Sequence, residues 1–295
     1  MDIELDFLSP IHQIKNKIFD EAEINVFVKR DDLIHPLISG NKWRKLKYIL
    51  KKAVAENKTH LVTFGGAYSN HLLATSAAAA QFGLKSTGIV RGEMVNNDIL
   101  FLCKLHGMEL QFVDRASYQD KPALFNKYFL NDPDAFFINE GGASAEGAKG
   151  CSEIIGELPQ IYDHVFCASG TGTTVAGIIN GINELNLKTQ INSVPILKNG
   201  SFLENEIELL LNKKHPFTLH TDYHFGGYAK TTPELISFIK QFIADTGMLI
   251  DPVYTGKLFY AIFDLATKKY FKPGSNVLAI HTGGLWGILG MQEKF

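Results

Sequence analysis

Only three cysteines occur in these 295 residues, Cys103, Cys151 and Cys167, and they are odd in number and widely spaced. That excludes a disulfide framework and the paired ligand spacing of a zinc site, and leaves buried free thiols as the expectation. The histidines include no His-Glu-x-x-His pair, so no metal site is predicted, and lone residues such as His60 and His164 are read as structural. No apolar run reaches membrane-spanning length. The start, Met1-Asp2-Ile3-Glu4-Leu5-Asp6, is acidic where a secretory signal is basic and then apolar. A soluble cytoplasmic protein is expected. Charge of one sign is also missing: 29 Lys and Arg face 31 Asp and Glu, and no basic block alternates with aromatics. That argues against nucleic acid as a partner. What is present is 45% hydrophobic residues, ample for a core in one large or two medium domains.

The stretch Ser39-Gly40-Asn41-Lys42-Trp43-Arg44-Lys45 sets a lysine in a tight polar turn at the start of an apolar-striped helix. Trp43, Leu46, Ile49, Leu50, Ala53 and Val54 recur at helical spacing and should face a core. Lys42 and Lys45, three apart, share an adjoining face. Two readings stand side by side. Arg44, Lys47, Lys51 and Lys52 make the run look like a solvated basic face. Two ammonium groups turned inward instead require something anionic or covalently bound, because an unpaired buried charge is costly.

From about residue 60, short apolar runs alternate with helical patterns, as in βαβ units around a mostly parallel sheet. Strands are predicted at 60–64, 86–90, 110–113, 136–139, 164–168, 193–197, 218–222 and 277–281. Helices are predicted at 71–82, 97–106, 118–130, 145–158, 172–185, 202–212, 233–246 and 256–269. So many units suit an α/β fold of two doubly wound sheets sharing a crevice better than one very wide sheet, and the crevice is where a ligand should lie.

Four further clusters fall at element junctions. Gly65-Gly66-Ala67-Tyr68-Ser69-Asn70-His71 opens an alanine-rich helix; Ser69 or Asn70 is either an N-cap or a polar group aimed at a bound ring. Ser169-Gly170-Thr171-Gly172-Thr173-Thr174 offers amides, hydroxyls and a helix N-terminus to an anion. It breaks the dinucleotide fingerprint at Val175 and has no glycine-lysine-hydroxyl triplet, so a phosphate monoester is the best candidate and an ordinary turn the alternative. Asp251-Pro252-Val253-Tyr254-Thr255-Gly256-Lys257 and His281-Thr282-Gly283-Gly284 read as turns from spacing alone.

Taken in order, these clusters resemble the pyridoxal-phosphate enzymes of the aminocyclopropane-carboxylate deaminase and D-cysteine desulfhydrase family, over nearly the whole chain. The resemblance implies the fold type II, tryptophan-synthase-β-like architecture. Residues 1–42 and 147–295 would form a large cofactor-binding domain and 43–146 a small one, in a homodimer acting on a small amino acid. It implies that Lys42 carries the imine with pyridoxal 5'-phosphate, and that Lys45 and the Gly170, Thr171, Gly172, Thr173, Thr174 loop hold the phosphate. Asn70 would bond the phenolic oxygen. Ser69 would face the substrate carboxylate and the lysine, and Tyr228 and Tyr254 would stand near the reacting carbons. Thr255 and Thr282 would lie around the pyridine nitrogen.

The deaminase branch looks like Asp-Pro-Val-Tyr-Glu with His-Leu-Gly-Gly, whereas desulfhydrases carry hydroxyl residues in place of that glutamate and leucine; this chain has Thr255 and Thr282. A carboxylate would keep the ring nitrogen protonated, as cyclopropane opening needs; a threonine suffices to eliminate a thiolate. The pattern therefore implies D-cysteine desulfhydrase activity, with Lys42 as base and pyruvate, ammonia and sulfide as products. A deaminase, a β-replacement synthase and a noncatalytic ligand-binding homologue are the competing readings. Trp43 in place of threonine, Ala143 to Glu146 and Lys230 to Leu235 depart from the family pattern, so the substrate rests on fewer residues than the cofactor does.

Overall fold

The computed structural model describes residues 2–295. In chain order the elements are β1 (Ile11–Ile14), α1 (Lys17–Glu21), β2 (Asn25–Lys29), α2 (Asn41–Ala55), β3 (His60–Gly66), α3 (Asn70–Gln81), β4 (Lys85–Arg91) and α4 (Asp98–Leu105). There follow β5 (Glu109–Val113), α5 (Lys121–Phe129), β6 (Ala135–Ile138), α6 (Ala145–Gly156), β7 (His164–Ser169) and α7 (Thr173–Glu184). The chain ends with β8 (Gln190–Pro195), α8 (Leu203–Glu208), β9 (Phe217–Leu219), α9 (Pro233–Thr246), α10 (Thr255–Thr267) and β10 (Asn276–Ile280). One sheet has four strands in the order β5-β4-β3-β6, all parallel. The other has six, β1-β2-β10-β7-β8-β9, parallel except for β1 at its edge. No helix of the described residues is long and apolar enough to cross a membrane.

The central strands read as apolar runs because helices cover both faces. Val165, Phe166 and Cys167 of β7 are all buried, Phe166 toward α9 and α10, and Val165 and Cys167 toward α6 and α7. The smaller sheet buries Leu61 against α2 and α3, whose Leu46, Leu50 and Ala78 are fully enclosed. Each such leucine contributes about 1.5–3 kcal/mol by leaving water. Local signals fix the helix ends: Ser69 caps α3, accepting from Leu72 N at 3.3 Å, and Thr232 caps α9 just before Pro233. The three cysteines are free and buried.

Helices α2, α6 and α7 approach closely. A Cβ on Gly150 of α6 would lie 1.8 Å from the Arg44 carbonyl oxygen, so even alanine there forces α2 and α6 apart. This contact carries α2 onto the six-stranded sheet.

Several expectations are corrected. The first 40 residues hold β1, α1 and β2, which the reading from residue 60 passed over; Val26 and Val28 are wholly buried because their face of β2 packs into the core that holds Leu258, Ile262 and Leu265 of α10. β8 begins at Gln190 rather than 193, because its ladder with β7 places Gln190 beside His164 and Pro195 beside Ser169. β9 stops at Leu219, giving way to a 3-10 turn at Thr221–His224. α8 is shorter than 202–212. Asn180 captures the chain beyond it, donating to the Leu210 carbonyl at 2.9 Å and accepting from Asn212 N at 2.9 Å. Arg44, taken with the solvated basic face, is only 1% exposed and pairs with Asp31 and Glu157.

Candidate active site

A cavity of about 690 Å³ lies between the two sheets. It is lined by the segments that follow β3, β4 and β7, by 282–284 after β10, by the start of α2 and by the turn entering α10. Ligands in open α/β sheets bind at such carboxyl ends of strands.

Lys42 and Lys45 enter from the first turn of α2. Gly40 sets that turn at φ +61°, and a Cβ there would fall 1.9 Å from the Thr282 carbonyl oxygen. The Gly40 amide donates to Asp31 O at 3.0 Å and the Asn41 amide to Thr282 O at 3.3 Å, locking the helix start to two loops of the larger sheet. The Asn41 side chain donates to Thr174 Oγ1 at 3.0 Å, joining the lysine turn to the glycine-threonine loop. Both ammonium groups point at one carbonyl: Nζ of Lys42 is 3.5 Å and Nζ of Lys45 3.1 Å from Gly141 O. Among the described residues neither has a carboxylate within salt-bridge distance. Desolvation, reinforced by Lys45, pushes the Lys42 ammonium down to about 7; burial also lowers Lys45. His71, buried beside the two, is held well below the usual histidine range by desolvation and then by both lysines.

Ser169 ends β7, and Gly172, left-handed at φ +75°, starts α7. Among the described residues no group accepts a hydrogen bond from the amides of Gly170 to Thr174. Amides at a helix start, facing two lysines short of counter-charge, make a site for a phosphate dianion. Across the cavity the buried Oδ1 of Asn70 lacks a partner, while its Nδ2 packs against Gly284. These residues fit pyridoxal phosphate: an amine with a depressed pKa, a phosphate cradle, and an asparagine among the lining residues.

The remaining expected residues divide. Ser69 lines the cavity while also capping α3. The Tyr254 ring lies over Gly170, with its hydroxyl 3.4 Å from where a Cβ would be, and meets the half-exposed Tyr228 edge to face at 6.4 Å between centroids. Burial, with Tyr228 and Asp251 nearby, raises the Tyr254 phenol well above its ordinary range, so it stays protonated as a donor. Thr282 lines the cavity too. Thr173 and Thr255 do not. Thr173 lies behind the wall, 3.3 Å from Thr171 Oγ1. Thr255 is fully buried, donating to Asp251 Oδ1 at 2.7 Å and accepting from Asp251 N at 2.8 Å. Its hydroxyl is consumed inside its own turn, which removes it from the pyridine position expected for it.

Asp251, which the sequence marks only as the head of its cluster, has a role in the turn. Its carboxylate accepts from Val253 N, Tyr254 N, Thr255 N and Thr255 Oγ1 at 2.7–2.9 Å, which fills its lone pairs and fixes Tyr254. Lys257 is buried on α10, donating to Gly227 O at 2.7 Å and His224 O at 2.8 Å, and so grips the turn that carries Tyr228. Desolvation lowers it to about 8. Lys257→Met strands those carbonyls, and we expect a loss of about 1–3 kcal/mol in urea unfolding; an unchanged midpoint would show that the turn holds without it. Arg91, Arg115 and Gly141 escaped the sequence reading. The two arginines fall at the strand ends where ligands gather, whereas nothing in the sequence marks the Gly141 carbonyl.

A family model described as "Pyridoxal-phosphate dependent enzyme" matches residues 8–283. The chain belongs to that family. A Thermotoga maritima protein named "Putative 1-aminocyclopropane-1-carboxylate deaminase" is 30% identical over 314 residues, spanning 100% of this chain and 99% of its own length. A Klebsiella pneumoniae "D-cysteine desulfhydrase" is 28% identical over 294 residues, covering 91% of this chain and 89% of its own. A crystallised ACC deaminase homologue superposes with a TM-score of 0.87 at 30% identity, over 100% of this chain and 94% of that one. The protein is thus a pyridoxal-phosphate-dependent enzyme of fold type II, in the deaminase and desulfhydrase family that acts on small amino acids.

Proposed function

We propose that this enzyme carries out α,β-elimination on a small amino acid, with D-cysteine as the preferred substrate and pyruvate, ammonia and hydrogen sulfide as products. The observation that carries the reading is that the cavity segment His281-Thr282-Gly283-Gly284 offers a hydroxyl and holds no carboxylate. Asp251, nearby, spends all its acceptor positions on its own turn, and the threonine hydroxyl at 282 cannot hold a ring proton as a carboxylate does. That environment suits departure of a good leaving group such as thiolate.

Lys42 would hold the cofactor covalently, Lys45 and the amides of Gly170 to Thr174 its phosphate, Asn70 its phenolic oxygen, and Thr282 would stand by the ring nitrogen. Bound there, pyridoxal phosphate supplies an electron sink for the substrate α-carbon. Once the substrate's amine has displaced it, the freed Nζ of Lys42 takes the α-proton, a task suited to an amine half neutral near pH 7. The bond from the β-carbon to sulfur breaks with its electron pair on sulfur, and Tyr254 can donate a proton there. The remaining three-carbon enamine hydrolyses with one water to pyruvate and ammonia. Ser69 faces the substrate carboxylate.

Purified holoenzyme given D-cysteine, L-cysteine and 1-aminocyclopropane-1-carboxylate in parallel tests this. Sulfide with pyruvate from D-cysteine is expected. The relatives named as deaminases favour a second reading, and 2-oxobutyrate formed with the higher kcat/KM would establish it. Cofactor uptake by the apoprotein gives a pH signature. Only the neutral amine attacks the aldehyde, so uptake should rise as pH increases through about 7 and then level off. A rate still climbing tenfold per unit toward pH 10 would show an ordinary lysine.

A further inference from the structure

Two guanidinium groups at the cavity mouth have no part in that scheme. Arg91 ends β4 and Arg115 follows β5, its parallel neighbour, where Arg91 stands beside Val113 and the Gly92 amide donates to Val113 O at 2.8 Å. Both line the cavity. Nη2 of Arg91 lies 3.6 Å from where Gly66 would carry a Cβ, which puts it over the loop leading to Ser69 and Asn70. The Arg115 guanidinium lies 3.7–4.0 Å from the equivalent point on Gly92. Among the described residues neither has a carboxylate within 4.0 Å. Glu140 is taken by Lys121 at 3.3 Å, and Glu93, which also lines the mouth, pairs with neither arginine. Arg91 rests over the Tyr118 ring at 5.4 Å, an arrangement that steadies a guanidinium and leaves its edge free to fork onto an anion.

We propose that Arg91 and Arg115 form a second anion-binding position, through which this enzyme accepts, besides D-cysteine, amino acids whose side chain ends in a carboxylate or a phosphate ester. The proposal rests on the cavity being an amino-acid site. The lysines and the glycine loop answer the cofactor phosphate, and the Ser69 loop answers the α-carboxylate; the two arginines then match one more negative group, carried by the β-substituent. With a phosphate ester, the bond from the β-carbon to oxygen breaks with its electrons on oxygen, and inorganic phosphate leaves in place of sulfide.

The test uses holoenzyme and reads the cofactor absorbance during titration with D-aspartate and D-alanine, which differ by the side-chain carboxylate and lack a ready leaving group. Aspartate should bind at least about tenfold more tightly than alanine, by an amount that shrinks with salt, and Arg115→Gln and Arg91→Gln should each remove most of that preference. O-phospho-D-serine and β-chloro-D-alanine, compared by kcat/KM, separate the phosphate source from the carboxylate. The phosphate ester's advantage should fall roughly 100-fold in the double variant. Equal affinity for aspartate and alanine in the unaltered enzyme overturns the proposal. So do variants that weaken both ligands alike, since that would place the arginines on the shared α-carboxylate. If the binding preference holds but no amino acid is turned over, the elimination reading fails while this proposal stands.

Discussion

Lys42→Ala is expected to lower the rate of product formation by roughly 10⁴-fold or more, because it removes the covalent hold on the cofactor together with a general base that alone is worth about 10²–10⁴-fold. The variant should still take up pyridoxal phosphate without a covalent bond, through Lys45 and the free amides of Gly170 to Thr174. It should also fold at least as well. The folded-state pKa of Lys42 is about 7 against an ordinary 10.5, so between those values the unfolded chain binds the extra proton. Stability of the unloaded protein therefore rises with pH across that window, and the burden of charging this ammonium is fully present below pH 7. Removing the side chain removes that burden. Steady-state kinetics with urea unfolding on the same preparation separate the two effects. Turnover near the unaltered rate, or a collapse in stability at pH 7, would contradict the role given to this amine.

The second large effect is on stability. Arg44 lies between the cavity lysines in the same helical turn, with its guanidinium buried between Asp31, at 2.8 and 3.1 Å, and Glu157, at 2.8 Å. Burial alone would push Arg44 down, but the bonds to Glu157 and then Asp31 outweigh it and hold the charge firmly. Lys29 adds a bond to Glu157 at 2.8 Å. Arg44→Met keeps the volume but leaves Asp31, wholly buried, without its partner, and we expect a loss of about 3–5 kcal/mol. For a chain of this size that lowers the melting temperature by roughly 5–8 °C. Asp31→Asn combined with Arg44→Met should recover part of the loss, because the cost lies in the stranded carboxylate. A midpoint within about 0.5 kcal/mol of the original would show that the network contributes nothing measurable. The Asp31 carbonyl also accepts the Gly40 amide, so cofactor affinity should weaken alongside stability.

The parallel α/β character was legible because each buried strand leaves a short apolar run and each crossover helix a periodic one. Strand boundaries were less so: β8 takes its bounds from pairing with β7, a contact between segments about 25 residues apart that no local pattern records. At the site, Lys42, Lys45, Asn70 and the glycine-threonine loop were marked for the cofactor by the order of motifs that resembles the family, since taken singly they also read as a basic face, an N-cap and an ordinary turn. Thr255 shows the limit. The family resemblance implied a hydroxyl beside the cofactor ring, and only the fold reveals that Asp251 takes both its donor and its acceptor. Arg44 failed for the same reason. One residue from Lys45 in a run of positive charge, it looks solvated until Asp31 and Glu157 are brought to it from 13 and 113 positions away.

Reduction of the cofactor-loaded enzyme with borohydride, followed by proteolysis and mass mapping, is the most direct measurement. A pyridoxyl adduct on Nζ of Lys42 is the expected result. An adduct on Lys45, Lys257 or any other residue, or no adduct at all, would contradict it.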